Sequence, residues 1–181
     1  VQKRERYLPM ISSQPRYNLL DRHVEQLHAA FCQKHGIGMI VYSPLAQGVL
    51  TNKYAGGARP EGSRATGTFA HFLDSQKALT PENLAAAERL GGFCKARGLE
   101  PAAVALAWVL RSPLVSSAII GATSVAQLEQ NVRALEVKLS DAEWREVASL
   151  TAVKPASEPK AKPARKKPAA KSPAAKRAAA K

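Results

Sequence analysis

The stretch SSAIIGATSVAQLEQN, Ser116 to Asn131, decides how this sequence folds. It opens with a β-branched apolar run, passes through Gly121 and continues with polar residues at helical spacing. That is the pattern of a buried strand feeding a helix. Loops and helix starts that follow parallel strands face the ligand side of an α/β sheet. A helix N-terminus there offers unpaired N–H groups and a positive dipole end, both suited to phosphate. Gly121 permits close backbone approach, and Gln127 and Asn131, four apart, share one helix face. Ser124 and Gln127 also fit a capping box that needs no ligand. Spacing alone leaves both readings open.

Similar units lie upstream. Residues 11–20 read as a short strand and a loop. Asp21 precedes a helix to about Lys34, with Val24, Leu27, Phe31 and Cys32 on one stripe and Gly36 as its stop. IGMIVYSPL, Ile37 to Leu45, is continuous and apolar, as in a strand buried on both faces. Residues 46–79 are polar and Gly-rich; an unstructured connection of that length is usually functional or disordered. Thr80-Pro81-Glu82 starts a helix that Gly98 ends. Pro101 opens PAAVALAWVLR, apolar on nearly every side and so buried. Ser116–Ala122 reads as a third buried strand, followed by a helix from Ser124 through Leu135. Ser140 and Glu143 make a capping box before Trp144, Val147 and Leu150. Strands alternating with helices predict an α/β fold with a parallel sheet. Three strands leave two edges to be paired or covered, so the body reads as part of something larger.

The charge is uneven. The chain has 181 residues and a net charge of +13, but Lys154–Lys181 alone carries ten basic residues and one acid. Residues 1–153 form one mildly basic domain. Residues 154–181, rich in Ala, Pro and Lys, cannot build a core and predict a disordered tail. Spaced lysines there can neutralise nucleic-acid phosphates without reading sequence, and without aromatics to stack on bases. A solubilising extension is the other reading. Two cysteines make no disulfide framework and predict reduced thiols. VQKRERYLPM has no signal-peptide core, and the longest apolar run, 101–110, is too short to cross a bilayer. A cytoplasmic protein without membrane association is the expectation. The first residue is Val, which predicts a processed, trimmed or partial chain. His28, Cys32 and His35 share a helical stripe but lack a fourth ligand, so no metal is expected. His71, Ser63 and Ser75 show no nucleophile pattern.

Five ordered motifs carry a family resemblance: QPRYNLLDR (14–22), VYSPLAQGVLTNKY (41–54), GSRA (62–65), PAAVALAWVL (101–110) and IIGATSVAQLEQN (119–131). Together they resemble the C-terminal half of aldo-keto reductases, in the branch of the potassium-channel beta subunits and many bacterial reductases. The tail resembles the Lys/Ala/Pro-rich ends of linker histones. The resemblance implies the C-terminal part of a (β/α)8 TIM barrel, about strands six to eight with their helices. It implies NADP(H) as cofactor and a small aldehyde or ketone as substrate.

Residue roles follow from the same resemblance. Gln14 would bond the nicotinamide carboxamide, and Tyr42 would stack on its ring. Ser43, Pro44, Leu45 and Gln47 would line the pyrophosphate path, largely through backbone groups. Lys53 and Arg64 would contact phosphate. Gly121, Thr123, Gln127, Gln130 and Asn131 would surround the adenosine and its 2′-phosphate. Many relatives have Gly where Asn52 stands and Glu where Gln130 stands. Other branches have basic residues in place of Gly121 and Gln127, which leaves NAD(H) open. The family's catalytic Asp, Tyr, Lys and His belong to the other half of the barrel; Tyr7, Tyr17 and Tyr54 match none of them, so no catalytic residue is assigned. The expected function is the cofactor-binding half of an oxidoreductase, prone to self-association if isolated and not catalytic alone. The alternatives are a nucleic-acid-associated protein using its basic tail and a nucleotide-binding regulatory subunit.

Overall fold

The computed structural model describes residues 8–68, 70–75 and 77–153. The expected tail, Tyr7 and the extreme N-terminus lie outside the described residues. Three parallel strands form one sheet: β1 (Ser12–Ser13), β2 (Gly38–Tyr42) and β3 (Val115–Ile119), with β2 in the middle. The helices are α1 (His28–His35), α2 (Ala70–Ser75), α3 (Pro81–Lys95), α4 (Pro101–Leu110), α5 (Val125–Val132) and α6 (Asp141–Leu150). The α/β reading with a parallel sheet holds.

The register between β2 and β3 shifts once, between Met39 and Ile40. Met39 pairs with Val115, but Ile40 pairs with Ser117, so β3 carries one extra residue, Ser116, at this point. A Cβ on Gly38 would lie 2.4 Å from the Ser116 hydroxyl, so a larger residue there would force that hydroxyl to rotate away. Beyond it, Tyr42 pairs with Ile119, and the C-terminal ends of β2 and β3 emerge side by side.

The core lies between the sheet and the helices. Met39 and Val41 of β2 are buried in one cluster with Leu90 and Phe93 of α3 and Val104, Leu106, Trp108 and Val109 of α4. The hydrophobic effect stabilises each such side chain by about 1.5–3 kcal/mol on full burial. Local caps set the helix ends. Thr80 Oγ1 accepts from the Asn83 N–H at 3.2 Å, with Pro81 in the first turn. Gly36 closes α1 in the left-handed conformation, with φ 64°. The Ser140–Glu143 box forms in both directions.

Several expectations are corrected. The helix after Asp21 does not begin there: residues 23–25 make a 3-10 turn and α1 starts at His28. The Asp21 carboxylate binds the His23 ring and Arg16 instead of capping a longer helix. The break in helical phase splits the expected stripe: Val24 and Cys32 are buried, while Leu27 is 83% and Phe31 49% exposed. Strand β2 is buried on one face, not two, with Ile40 half-buried and Tyr42 open. Strand β3 is not buried: Ser116, Ser117 and Ile119 are exposed, because among the described residues only β2 pairs with it. Residues 46–79 are not structureless. They form 3-10 segments at Ala46–Thr51 and Ala55–Gly57 and helix α2, and they bury Val49, Tyr54, Ala65, Leu73 and Ala78 against Ala87 of α3. Among the described residues, no helix is long and apolar enough to cross a membrane.

The capping box gives a stability test. The Ser140 N–H and hydroxyl, with Arg97, hold the Glu143 carboxyl below its ordinary pKa. A depressed carboxylate pKa contributes stability above the unfolded pKa, and that contribution is lost as pH falls through the folded one. Ser140→Ala is expected to cost about 1 kcal/mol at neutral pH by urea denaturation. The difference from the parent should shrink as the medium is acidified through the carboxylate range.

Candidate functional site

The site begins where β2 ends. Tyr42 closes the strand and is 38% exposed. Its N–H donates to the Pro15 carbonyl at 3.0 Å, which places exposed Gln14 one residue away from that contact. The backbone then turns through left-handed conformations that L-residues rarely adopt: Ser43 (φ 52°), Ala46 (48°), Gln47 (60°), Gly48 (93°) and Asn52 (62°). Such conformations cost about 1–3 kcal/mol at non-glycine positions and concentrate at functional sites. Asn is among the few side chains that tolerate this region, which accounts for Asn52 at a position where glycine is expected.

One buried residue braces the turn. The Asn18 side chain donates to the Ser43 carbonyl at 3.0 Å, and its Oδ1 accepts from the N–H groups of Leu20 and Asp21, each at 2.9 Å. Sequence reasoning assigned Asn18, inside the QPRYNLLDR motif, no role at the site. The geometry makes Asn18 the link between the loop after β1 and the loop after β2. Its signal was a short polar side chain between Tyr17 and Leu19, both of which are buried.

Two cations reach this end of the sheet. Arg64 donates from Nη1 to Gln47 Oε1, while Gln47 Nε2 donates to the Ser43 hydroxyl at 3.1 Å. Arg64 Nη2 lies 3.9 Å from where a Cβ on Gly121 would stand. The guanidinium therefore spans from the loop after β2 to the loop after β3. Lys53 folds over Gly48 and sits 5.3 Å from the Tyr54 ring centre. Partial burial of its ammonium, and then the nearby Arg64 charge, lower its pKa. Among the described residues, no carboxylate forms an ion pair with Lys53 or Arg64.

The start of α5 completes the arrangement. Ser124 Oγ accepts from the Gln127 N–H at 3.3 Å, the expected cap. The Gln127 side chain does not reach back to Ser124, so the reciprocal half of the box is absent. Its Oε1 accepts instead from the Thr123 N–H at 2.9 Å and the Thr123 hydroxyl at 3.2 Å. The amide is thus fixed one residue further out, over the loop that carries Gly121. Pro44 is buried and Leu45 packs on the main core, so both offer the site backbone groups. Gln130 is exposed and Asn131 is buried on α5.

Chemically, this end of the sheet presents a guanidinium, an ammonium, a pinned carboxamide, a hydroxyl pair and an open aromatic ring. Two unneutralised cations beside a helix N-terminus suit a phosphate-bearing ligand. The exposed phenol ring suits a flat heterocycle. No group of three or more metal-ligating side chains occurs among the described residues, and His28 bonds both Ser13 and Cys32: Ser13 Oγ lies 3.1 Å and Cys32 Sγ 3.5 Å from His28 Nε2.

Comparison with known proteins decides the family. Residues 1–152 match the model of the aldo/keto reductase family. The chain belongs to the aldo/keto reductases. Its relatives include the L-glyceraldehyde 3-phosphate reductase of Escherichia coli (strain K12), 41% identical over 135 residues, covering 73% of this chain and 38% of that protein. Protein tas of the same organism is 35% identical over 144 residues, 80% of this chain and 40% of that protein. A putative voltage-gated potassium channel subunit beta of Schizosaccharomyces pombe is 38% identical over 130 residues, 70% of this chain and 37% of that protein. The chain thus spans about two-fifths of the length of these aldo/keto reductase relatives.

Gly48 tests the geometry of the turn. A Cβ there would meet Lys53 Cε at 2.7 Å and Nζ at 2.9 Å, at a φ of 93°. Gly48→Ala is expected to destabilise the fold by about 1–2 kcal/mol and to displace Lys53. Gly92, exposed in α3 with nothing within 4 Å, is the control. Gly92→Ala should stabilise by about 0.5–1 kcal/mol in the same denaturation assay.

Proposed function

We propose that this chain is the dinucleotide-binding part of an NADP(H)-dependent aldo-keto reductase, contributing the last three strands of a (β/α)8 barrel and their helices. The observation that carries this reading is the reach of Arg64, which brings Gln47 after β2 and Gly121 after β3 under one guanidinium. A pyrophosphate seated there would receive Arg64 and Lys53 as charge-assisted donors, with Ser43 and Gln47 beside it. The open Tyr42 ring would hold the nicotinamide face, and Gln14 would orient its carboxamide by donating and accepting at once. Thr123, Gln127, Gln130 and Asn131 would face the adenosine end. The bound cofactor supplies a hydride to the carbonyl carbon of an aldehyde or ketone. The residues of this chain hold, orient and neutralise it.

The tyrosines support a binding role over a proton-transfer role. Tyr17 is buried and donates to Glu25 Oε1 at 2.7 Å; burial, then this bond, raise its pKa. Tyr54 is buried under the 46–79 segment, and burial likewise raises its pKa. Neither is poised to protonate a carbonyl oxygen beside Tyr42. A nucleotide-binding regulatory subunit is the second reading, favoured by the same lack of a donor among the described residues and by the channel-subunit relative.

NADPH titrated into the protein by fluorescence is expected to bind, and Tyr42→Ala, Arg64→Ala and Gln127→Ala to weaken it. Removing the Arg64 guanidinium should cost roughly tenfold in affinity, the scale of one charge-assisted bond. Parent-like binding by all three variants would refute the assignment. The 181-residue chain, sized and pure, is also expected not to oxidise NADPH with small aldehydes or quinones. Turnover on the order of 1 per second, ordinary for an enzyme, would reveal a proton donor within the chain.

A further inference from the structure

A second concavity lies on the helical layer and shares no residue with the site above. It is a cavity of about 350 Å³ with Tyr17, Trp108 and Trp144 in its wall and Arg22, Arg111 and Arg145 around it. That is within the size range of small-molecule sites, which combine an apolar lining with a few convergent polar groups.

Its chemistry is specific. Aromatic rings form part of the wall: Trp108 is 8% and Trp144 6% exposed, and the Tyr17 and Trp108 ring centres are 5.2 Å apart. The Arg22 guanidinium lies over Trp108, 5.1 Å from its ring centre, and the Arg111 guanidinium over Trp144 at 4.9 Å, within cation–π range. Each already binds a carboxylate from this chain: Arg22 to Glu25 at 2.8 Å and Arg111 to Asp141 at 3.1 Å. Asp141 and its partner are exposed, so a competing carboxylate can reach Arg111 from solvent. Arg145 forms no ion pair among the described residues. Neither tryptophan N–H has a hydrogen-bond acceptor among the described residues, and neither nitrogen is sealed from solvent, so both are open to an acceptor from outside. Indole donors without an acceptor among the described residues, a guanidinium without an ion pair and aromatic side chains beside it describe a receptor for a flat anion.

We propose that this cavity binds a small aromatic carboxylate, its ring against Trp108 and Trp144 and its carboxylate between Arg111 and Arg145, displacing Asp141. A carboxylate is favoured over a phosphate because Arg111 already holds one there. The site is independent of the proposed dinucleotide site.

The chain supplies its own probe, because its two tryptophans both line this cavity. Intrinsic tryptophan fluorescence of the whole chain is titrated with benzoate, with benzyl alcohol as the uncharged ring and with inorganic phosphate as the ringless anion. Saturable quenching by benzoate, at least tenfold tighter than by either control, is expected. Arg145→Ala should weaken benzoate roughly tenfold, the scale of one charge-assisted bond. Asp141→Asn, which removes the competing carboxylate, should strengthen it several-fold, an outcome that general destabilisation cannot produce. Near-ultraviolet circular dichroism verifies that each variant keeps its fold, and NADPH affinity should be unchanged in both. Benzyl alcohol or phosphate binding as well as benzoate, no saturable quenching, or weaker binding by Asp141→Asn would each overturn the proposal.

Discussion

The parallel pairing of β2 with both neighbours is the constraint on which the rest depends. Parallel strands send their C-terminal ends to one edge of the sheet, so Tyr42 and Ile119 stand side by side and their following loops start together. Each return to the sheet needs a crossover, and the helices between the strands supply it while burying Met39 and Val41. The extra residue at Ser116 shifts the register of this pairing between Met39 and Ile40. A slip of one residue would turn Tyr42 inward and Val41 outward, exchanging core and site.

Strain is placed at the same edge. Five residues between Ser43 and Asn52 adopt positive φ, and four of them are not glycine. They persist because the surroundings over-determine them: Asn18 holds the Ser43 carbonyl, and the buried cluster of Val49, Tyr54, Leu73 and Ala87 anchors the far side. The segment that looks least ordered by composition therefore has a small core of its own. That core positions Arg64, whose like charge also lowers the Lys53 pKa, and an anion between the two would relieve their repulsion.

The sequence was most legible where physics is local. Thr80, Ser140 and Gly36 act within one turn of themselves, and each caps its helix as expected. The order of the strands and the longer helices was equally readable from apolar periodicity, whereas α2, inside the polar 46–79 segment, was not. Exposure was not, because it depends on partners. Leu27 and Phe31 fit a helical stripe but face outward once residues 23–25 form a 3-10 turn, and β3 reads as buried yet has one neighbour among the described residues. Of the site, the residue identities came from motifs, while the arrangement did not. Arg64 is seventeen residues from Gln47 along the chain, and nothing in either segment announces their contact. Asn18 shows the same limit: its three hydrogen bonds join segments that composition treats as separate.

The central claim is that the loops after β2 and β3 close around one dinucleotide. Amide chemical-shift mapping of the isotopically labelled chain with NADP+ tests it most directly. The account predicts saturable shifts confined to residues 14, 42–53, 64 and 121–131, with the Trp108 and Trp144 indole signals unmoved. Shifts absent from those loops, or centred on the tryptophan cavity, would contradict it.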